Sequence, residues 1–388
     1  MARVAITGIG IVAPGVRTLR DFSHTIKQGR CPVTSLPDAK VPSGQTAVGG
    51  RIEDVRSGPG RARELLIMAV QRAIESTDET MYEETGLIVG TSLGDIETLL
   101  SEHAHHLTSQ PVDGKKFTNS LPEGLTDSVA QATGLHGPQF TLSSACTSGA
   151  SALGWALDLL RAGKGERYVV AAVDTLNDFV LCGFASLWAL TSDTPRPFDM
   201  SRTGMALGES AVALQVERLD ERTPLASTSL PRAIVSGYGA SADAVHITAP
   251  DKAGKGAARA MTRALADAEW TPAEVDYLNV HATGSLYNDA MIIKAIEAVF
   301  GERGREIPIS SVNPATGHTL ASAGLVEAVA TIVALEEGFI PPTANLSSPE
   351  ETNLDLVKDT FRPAQLTKAL SLTTGFGGAN TALALSSV

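Results

Sequence analysis

Hydrophobic positions in this chain form short runs typical of buried strands and longer stretches with the spacing of amphipathic helices. The clearest unit covers residues 139–163, where a strand at 140–142 leads through three small residues into a helix that ends at Gly163. Similar strand–helix units recur along the chain and predict an α/β protein. Predicted strands cover residues 4–12, 87–89, 140–142, 168–173, 211–217, 232–239, 275–280, 308–312, 370–374 and 381–387. Predicted helices cover residues 19–28, 61–75, 146–163, 256–268, 289–300 and 323–336, and 95–135 is mostly helical.

The two halves of the chain resemble each other in outline. VAITGIGIV at residues 4–12 is similar to RAIVSGYGA at 232–240, and FTLSSACTSGASALGWAL at 140–157 is similar to IPISSVNPATGHTLASAGLVEAV at 307–329. Each member of the second pair is a strand, two serines, a turn and a helix of small residues. The repetition predicts two duplicated halves, residues 1–228 and 229–388, that are joined without a linker.

Composition narrows the class of protein. The 388 residues carry a formal net charge of −12, which disfavours nucleic acid and anionic membrane surfaces as partners. Three cysteines without paired spacing disfavour a disulfide framework or a cysteine-based metal site, so no metal is expected. No apolar run is long enough for a membrane span, and glycines and a proline interrupt the apolar N-terminus. A cytoplasmic location is therefore expected.

Cys146 is the strongest candidate for a nucleophile. It follows the small residues at 143–145 and lies where the helix is predicted to begin. A helix N-terminus favours negative charge and lowers the pKa of a thiol, so we expect a reactive thiolate here.

Two histidines follow strands of the second half. His281 ends the strand 275–280, and His318 lies in the turn after 308–312. Open α/β sheets place their ligands at such strand ends, so both imidazoles are expected beside Cys146. The loop GFGGAN at 375–380 offers the backbone N–H of Phe376, which with that of Cys146 would form an oxyanion hole. A thiol, two imidazoles and an oxyanion hole are suited to acyl thioester chemistry.

Other patterns permit different functions. GTSLG at 90–94 matches the G-x-S-x-G nucleophile elbow and would make Ser92 the nucleophile of a serine hydrolase, but this leaves Cys146 and both histidines unexplained. Lys255, Arg259 and Arg263 follow one another at intervals of four residues on one predicted helix face. We interpret this stripe as a solvated face, with an acidic partner as the alternative.

Several motifs resemble those of the β-ketoacyl-acyl-carrier-protein synthases of the thiolase superfamily. They are VAITGIGIV, GLHGPQFTLSSACTSG, RPFDMSRTGMALGES, DAVHITAP, VHATGS..ND, PATGHTLASAGLVEA and TTGFGGANTALAL. The resemblance covers nearly the whole chain and implies a five-layered αβαβα fold made of two duplicated halves. It also implies a dimeric acyltransferase that joins acyl units by decarboxylative condensation. Its substrates would be carried on the phosphopantetheine of an acidic acyl carrier protein, with no further cofactor.

The resemblance also assigns roles to individual residues. Cys146 would accept the acyl chain, His281 and His318 would assist decarboxylation of the malonyl unit, and Phe376 would gate the site and share the oxyanion hole. Residues expected to contact the pantetheine arm or to lie at the mouth on the carrier side are Thr248, Thr283, Ser285 and Asp243. Residues expected to support the site are Asn313, Glu327 and Asp289.

The chain departs from the family pattern at several positions around the site, among them residues 203, 205, 373 and 374. Asn313 replaces a lysine, Ile292 replaces a glutamate, and Trp188 replaces an arginine, whereas the lysine's usual partner Glu327 is retained. Loss of a buried lysine together with one of its carboxylates avoids an unpaired charge. The departures favour a specialised polyketide or polyene pathway over fatty-acid synthesis. The alternative is a weakly active or silent subunit, similar to a chain-length factor, in a heterodimer with a second ketosynthase. Typical chain-length factors lack the cysteine that is present here.

Overall fold

The computed structural model describes residues 2–42, 45–219 and 230–388. The strands are β1 Arg3–Val12, β2 Thr34–Ser35, β3 Val48–Gly50, β4 Gly86–Gly90, β5 Gln139–Leu142, β6 Arg167–Asp174, β7 Leu207–Gly208, β8 Ser210–Leu219, β9 Ala233–Ala242, β10 Tyr277–Val280, β11 Pro308–Ser310, β12 Phe339–Ile340, β13 Asp355–Leu356, β14 Arg362–Pro363, β15 Lys368–Thr374 and β16 Ala379–Ser386. The α-helices are α1 Leu19–Lys27, α2 Arg61–Ala73, α3 Ile96–Leu107, α4 Gly114–Ser120, α5 Pro122–Thr133, α6 Ser148–Arg161, α7 Asp178–Ser186, α8 Lys255–Asp267, α9 Leu286–Phe300 and α10 Ala323–Glu337.

The main sheet repeats one strand order twice. In the first half the order is β5-β4-β6-β8-β1, and in the second it is β11-β10-β15-β16-β9, with β13 added at the edge. Both halves have two parallel pairings followed by two antiparallel ones. A short antiparallel contact between β1 and β9 joins the halves. The predicted boundary at residues 228 and 229 lies outside the described residues and stays a prediction.

Apolar side chains fill the space between the five layers. Helices α2 and α5 cover the outer face of the first half-sheet, and α8 and α9 cover that of the second. Between the half-sheets lie α6 and α10, whose small residues permit close packing. A Cβ at Gly324 would come within 2.6 Å of the Cβ of Ala150 on the facing helix. The predicted αβαβα architecture is therefore confirmed.

The predicted helices and strands occur with small shifts at their ends. The helix expected from Cys146 begins two residues later, at Ser148, and Cys146 lies in the turn before it. The strand predicted over 275–280 is shorter, because Pro272–Glu274 forms a 3₁₀ turn ahead of β10. In the described part of the chain, no helix combines the length and apolar character needed to cross a membrane.

Candidate active site

Cys146 lies at the end of a sharp turn between β5 and α6. Ala145 has a φ of 52°, in the left-handed region that side chains rarely adopt, and this conformation turns the chain from the strand into the helix. Gly375 packs against the turn, because a Cβ there would lie 3.2 Å from the backbone nitrogen of Cys146. The thiol is 6 % exposed and lines a cavity in the protein.

The protonation state of Cys146 differs from our expectation. Burial raises the pKa of the thiol to about 12, although the backbone N–H groups of Phe376 and of Cys146 itself act in the opposite direction. The prediction of a thiolate formed by the helix dipole was wrong, because burial in an apolar surrounding penalises the charged form more than the nearby N–H groups favour it. Cys146 therefore needs a neighbouring base to become a nucleophile.

His318 is the side chain placed to act as such a base. Its Nε2 lies 3.1 Å from the sulfur of Cys146. Burial, and secondarily the charge of His281, hold the pKa of His318 well below its usual value. The ring is therefore neutral near pH 7. If Nε2 is to accept the thiol proton, the single N–H of the neutral ring must be on Nδ1.

His281 is held by a buried carboxylate. Its Nδ1 lies 2.5 Å from Oε1 of Glu327, which also accepts from Nδ2 of Asn313 at 3.1 Å. The other carboxylate oxygen accepts from the hydroxyl of Thr373 at 2.6 Å. Asn313 and Thr373 are neutral donors, so among the described residues bonded to Glu327 only His281 can carry a positive charge. The two histidine rings meet edge to face, with centroids 4.9 Å apart.

A second carboxylate shapes the turn after His281. Buried Asp289 accepts from the backbone N–H groups of Thr283, Gly284 and Phe198 at 3.0–3.1 Å. Burial raises its pKa to about 6. These contacts make Asp289 a structural support for the turn and keep it away from the sulfur.

The site cavity has a volume of about 310 Å³ and gathers most of the predicted residues. Its lining includes Cys146, His281, His318, Phe376, Thr248, Thr283, Ser285 and Asp243. The hydroxyl of Thr283 donates to that of Ser285, at 3.1 Å. Asn313, Glu327 and Asp289 lie behind this lining. The structure therefore brings the predicted site residues together, some at the cavity wall and these three behind it.

A second cavity lies beyond two stacked aromatic rings. Phe376 and Phe184 stack with centroids 5.2 Å apart, and both line the two cavities. The second cavity has about 940 Å³, is mainly apolar, and also contacts Cys146. Its lining includes Leu100 and Phe179, which are 40 % and 54 % exposed, so it opens toward the surface. This arrangement suits an aliphatic chain attached to the sulfur.

Ser92 has a different surrounding. It lines the second cavity, where the described lining residues include no histidine, and its backbone N–H donates to Asp174. The hydrolase alternative therefore gains no support from the geometry. Ile292 is fully buried in the core between the second half-sheet and its outer helices.

Three residues of the site were not predicted from the sequence. They are Phe184, Thr373 and Asn288, whose Nδ2 donates to the backbone oxygen of His281 at 2.7 Å. Thr373 and Asn288 belong to motifs already noted, but their roles depend on contacts between segments that lie far apart in the chain.

Comparisons with known proteins agree with this architecture. The model of the β-ketoacyl synthase N-terminal domain matches residues 59–222, and that of the C-terminal domain matches residues 232–347. The chain is 32 % identical to a 3-oxoacyl-[acyl-carrier-protein] synthase 2 from Synechocystis, over 98 % of this chain and 97 % of the relative. It is 29 % identical to the tetracenomycin polyketide synthase ketoacyl synthase alpha subunit from Streptomyces glaucescens, over 99 % and 96 %. The ishigamide ketosynthase/chain length factor structure superposes with a TM-score of 0.90 at 26 % identity, covering 100 % of this chain and 99 % of the other.

Fold and site together define a condensing enzyme of the acyltransferase class. The chain belongs to the β-ketoacyl synthase family.

Proposed function

We propose that this protein is an elongating β-ketoacyl synthase that uses Cys146, His281 and His318. The observation that carries the proposal is the contact of 3.1 Å between the buried thiol and Nε2 of His318, beside a second histidine held by Glu327. The substrate is an acyl chain on the phosphopantetheine of an acyl carrier protein, as the name of the Synechocystis relative indicates for that enzyme. No resident cofactor is required, and the site of action is the cytoplasm.

The first half-reaction transfers the acyl group to Cys146. The thiol proton moves to Nε2 of His318 while the sulfur attacks the thioester carbonyl. The resulting oxyanion accepts hydrogen bonds from the backbone N–H groups of Cys146 and Phe376. Collapse of the tetrahedral intermediate expels the pantetheine sulfur, which takes the proton from His318. The acyl chain then occupies the large apolar cavity behind Phe184 and Phe376.

The second half-reaction condenses this acyl group with malonyl-carrier protein. The bond to the malonyl carboxylate breaks, CO₂ leaves, and its electron pair forms an enolate. Nε2 of His281, whose Nδ1 is bound by Glu327, and Nε2 of His318, which takes up one proton from solvent at this stage, donate hydrogen bonds to the enolate oxygen. The enolate carbon attacks the acyl carbonyl, the bond to Cys146 breaks, and the sulfur takes that proton from Nε2 of His318. Thr248, Thr283 and Ser285 hold the pantetheine arm.

We further propose that a second ketosynthase-type subunit covers the opening of the large cavity. Among the described strands β5 pairs only with β4, so its other edge is open. Near the opening α3 and α4 expose Leu100, Leu107 and Phe117. The similar ishigamide structure is itself described as a ketosynthase with a chain length factor. The division into halves 1–228 and 229–388 is likewise retained as a proposal.

A silent subunit is the second candidate function, and Asn313 is the observation that favours it. The test offers acyl-carrier and malonyl-carrier proteins to the purified protein and follows CO₂ and β-ketoacyl-carrier by mass spectrometry. The proposal expects both products, in equal amounts, and their loss in Cys146→Ala. Product formation that is absent in the wild type but present in Asn313→Lys would contradict an active synthase and support the silent subunit.

A further inference from the structure

The cavity that contains Cys146 opens between three short segments. They are residues 186–189 after α7, residues 244–249 after β9, and residues 285–287 at the start of α9, which we call the rim. The rim residues that line the cavity are Leu187, Trp188, Ala189, Thr248, Ala249, Ser285, Leu286 and Tyr287. No aspartate, glutamate, lysine or arginine occurs in the three segments. The neighbouring Asp243 lines the cavity, and its carboxylate accepts from the backbone N–H of Asp251 and from Nδ2 of Asn380.

Large apolar side chains are exposed all along this rim. They are Leu187, Trp188, Val245, Ile247, Leu286 and Tyr287, each at least half exposed. Trp188 is 82 % exposed and Ile247 is 77 % exposed. A group of this kind around a cavity mouth marks an interaction site, because scattered apolar residues on a soluble surface do not gather in this way.

The backbone conformation and the exposure of Trp188 are both unfavourable for the stability of the protein without a partner. Its φ of 54° lies in the left-handed region, where a helix end favours glycine or asparagine. It exposes its indole to solvent, although burial would be favourable by hydrophobic transfer. The family resemblance predicts an arginine here, so a cation has been replaced by the side chain that contributes most often to hot spots of protein interfaces.

Basic residues lie near the rim, and three of them contact other groups of the protein. Arg259 donates to the backbone oxygen of Ala242, and Arg263 interacts with that of Ala240. The ammonium of Lys252 lies over the ring of Tyr287, 5.5 Å from its centroid. Lys252, Lys255, Arg259 and Arg263 are all absent from the cavity lining.

We propose that the rim docks the acyl carrier protein mainly by burial of Trp188 and its apolar neighbours, with little contribution from ion pairs. The inference rests on the proposed function, because a carrier whose pantetheine arm enters this cavity must cover the rim. Screening by salt weakens contacts between exposed charges but leaves apolar burial largely unaffected. Docking through the rim is therefore nearly independent of salt.

The test measures binding of an acyl carrier protein in its apo form, which lacks the pantetheine arm, by titration calorimetry. Trp188→Ala is compared with Leu230→Ala and Lys255→Ala. Leu230 is 86 % exposed but precedes β9, at the opposite end of this strand from the rim. Lys255→Ala tests whether the basic stripe of Lys255, Arg259 and Arg263 contributes to binding of the carrier protein. We expect Kd to rise about tenfold or more in Trp188→Ala and less than about twofold in both controls.

A second arm compares the wild type at about 50 and 500 mM NaCl, where we expect Kd to change less than about threefold. Unchanged binding in Trp188→Ala, a steep loss of binding with salt, or a wild type that binds no carrier would each overturn the proposal. A protein-free acyl-pantetheine thioester separates this result from failure of the proposed function. Acylation of Cys146 by that thioester supports the synthase whatever happens at the rim, whereas an unreactive Cys146 contradicts the synthase itself.

Discussion

The two halves of the molecule use the same turn before their central helices but give it different chemistry. Ala145 and Leu320 have φ values of 52° and 53°, and each lies three residues before the first residue of its helix, α6 or α10. By this offset the counterpart of Cys146 in the second half is Ala321. The backbone N–H of Ala321 donates to Asp174 at 3.0 Å, whereas that of Cys146 interacts with its own sulfur.

The difference shows how one reaction site arises from a duplicated scaffold. The first half keeps the nucleophile and a donor for the oxyanion. In the second half the corresponding N–H, that of Ala321, is bound by the carboxylate of Asp174 from the first half. The extended turn 311–319 contributes Asn313 and His318 to the site instead. The second half thus places two histidines beside a thiol that it does not itself carry.

The largest expected effect follows from moving the cysteine from the turn before α6 to the corresponding position in the turn before α10. Cys146→Ala should reduce condensation by about 10³-fold or more, because no other group forms the acyl-enzyme. Adding Ala321→Cys should restore nothing, because residue 321 is fully buried and its N–H is bound by Asp174. Intact-protein mass spectrometry after exposure to acyl-carrier protein measures both. A thioester adduct in the double variant would show that the turns are chemically equivalent.

The next effect concerns the base that the second half supplies. Replacing His318 by Gln should slow acylation about 10²-fold at neutral pH. In the wild type the pKa of His318 lies well below its usual value and that of the thiol is about 12, so neither group changes charge between about pH 7 and 9 and the rate should stay flat. In the variant only hydroxide forms the thiolate, so the rate should rise with pH. Single-turnover acylation across this range measures both profiles, and a wild-type rate that rises tenfold per pH unit would exclude His318 as the base.

A smaller effect is expected at the carboxylate of α10. Glu327→Gln should slow malonyl decarboxylation by about 10–100-fold, because it removes the charge opposite His281, and should leave acylation of Cys146 nearly unchanged. Thr331→Val is the matched control, since its buried hydroxyl donates to the backbone oxygen of Glu327 and accepts from Nδ2 of Asn279. CO₂ release and acylation are measured separately. Equal losses in both steps would contradict the division of labour between the histidines.

The smallest effect concerns packing between the halves. Gly324→Ala introduces a Cβ 2.6 Å from that of Ala150, so it should destabilise the protein by about 1–3 kcal/mol despite the better helix propensity of alanine. Gly114→Ala, at an open position of α4, should be neutral or slightly stabilising. Urea unfolding compares the two variants. A stabilised Gly324→Ala protein would show that α6 and α10 are less closely packed.

Much of the fold could be predicted because the relevant signals are local. Runs of apolar residues gave β4 and β6, helical spacing gave α2 and α10, and repeated segments indicated the duplication. Cys146, His281 and His318 were found because each follows a strand of that pattern. The pKa of Cys146 was predicted with the wrong sign, because burial depends on segments remote in sequence, such as 375–378. Thr373 and Asp174 were missed for the same reason: their partners lie 46 and 147 residues away.

The most direct test of a single site built from both halves is a time course of intact-protein mass. The protein is first mixed with acyl-carrier protein and then with malonyl-carrier protein, and the mass of the intact protein is followed. Digestion of samples from each step locates the adduct on the peptide that contains Cys146. We predict an acyl adduct on Cys146 that forms in the first step and disappears in the second, as β-ketoacyl-carrier protein accumulates. An adduct that persists after malonyl-carrier protein is added, in the presence of intact His281 and His318, would contradict the account.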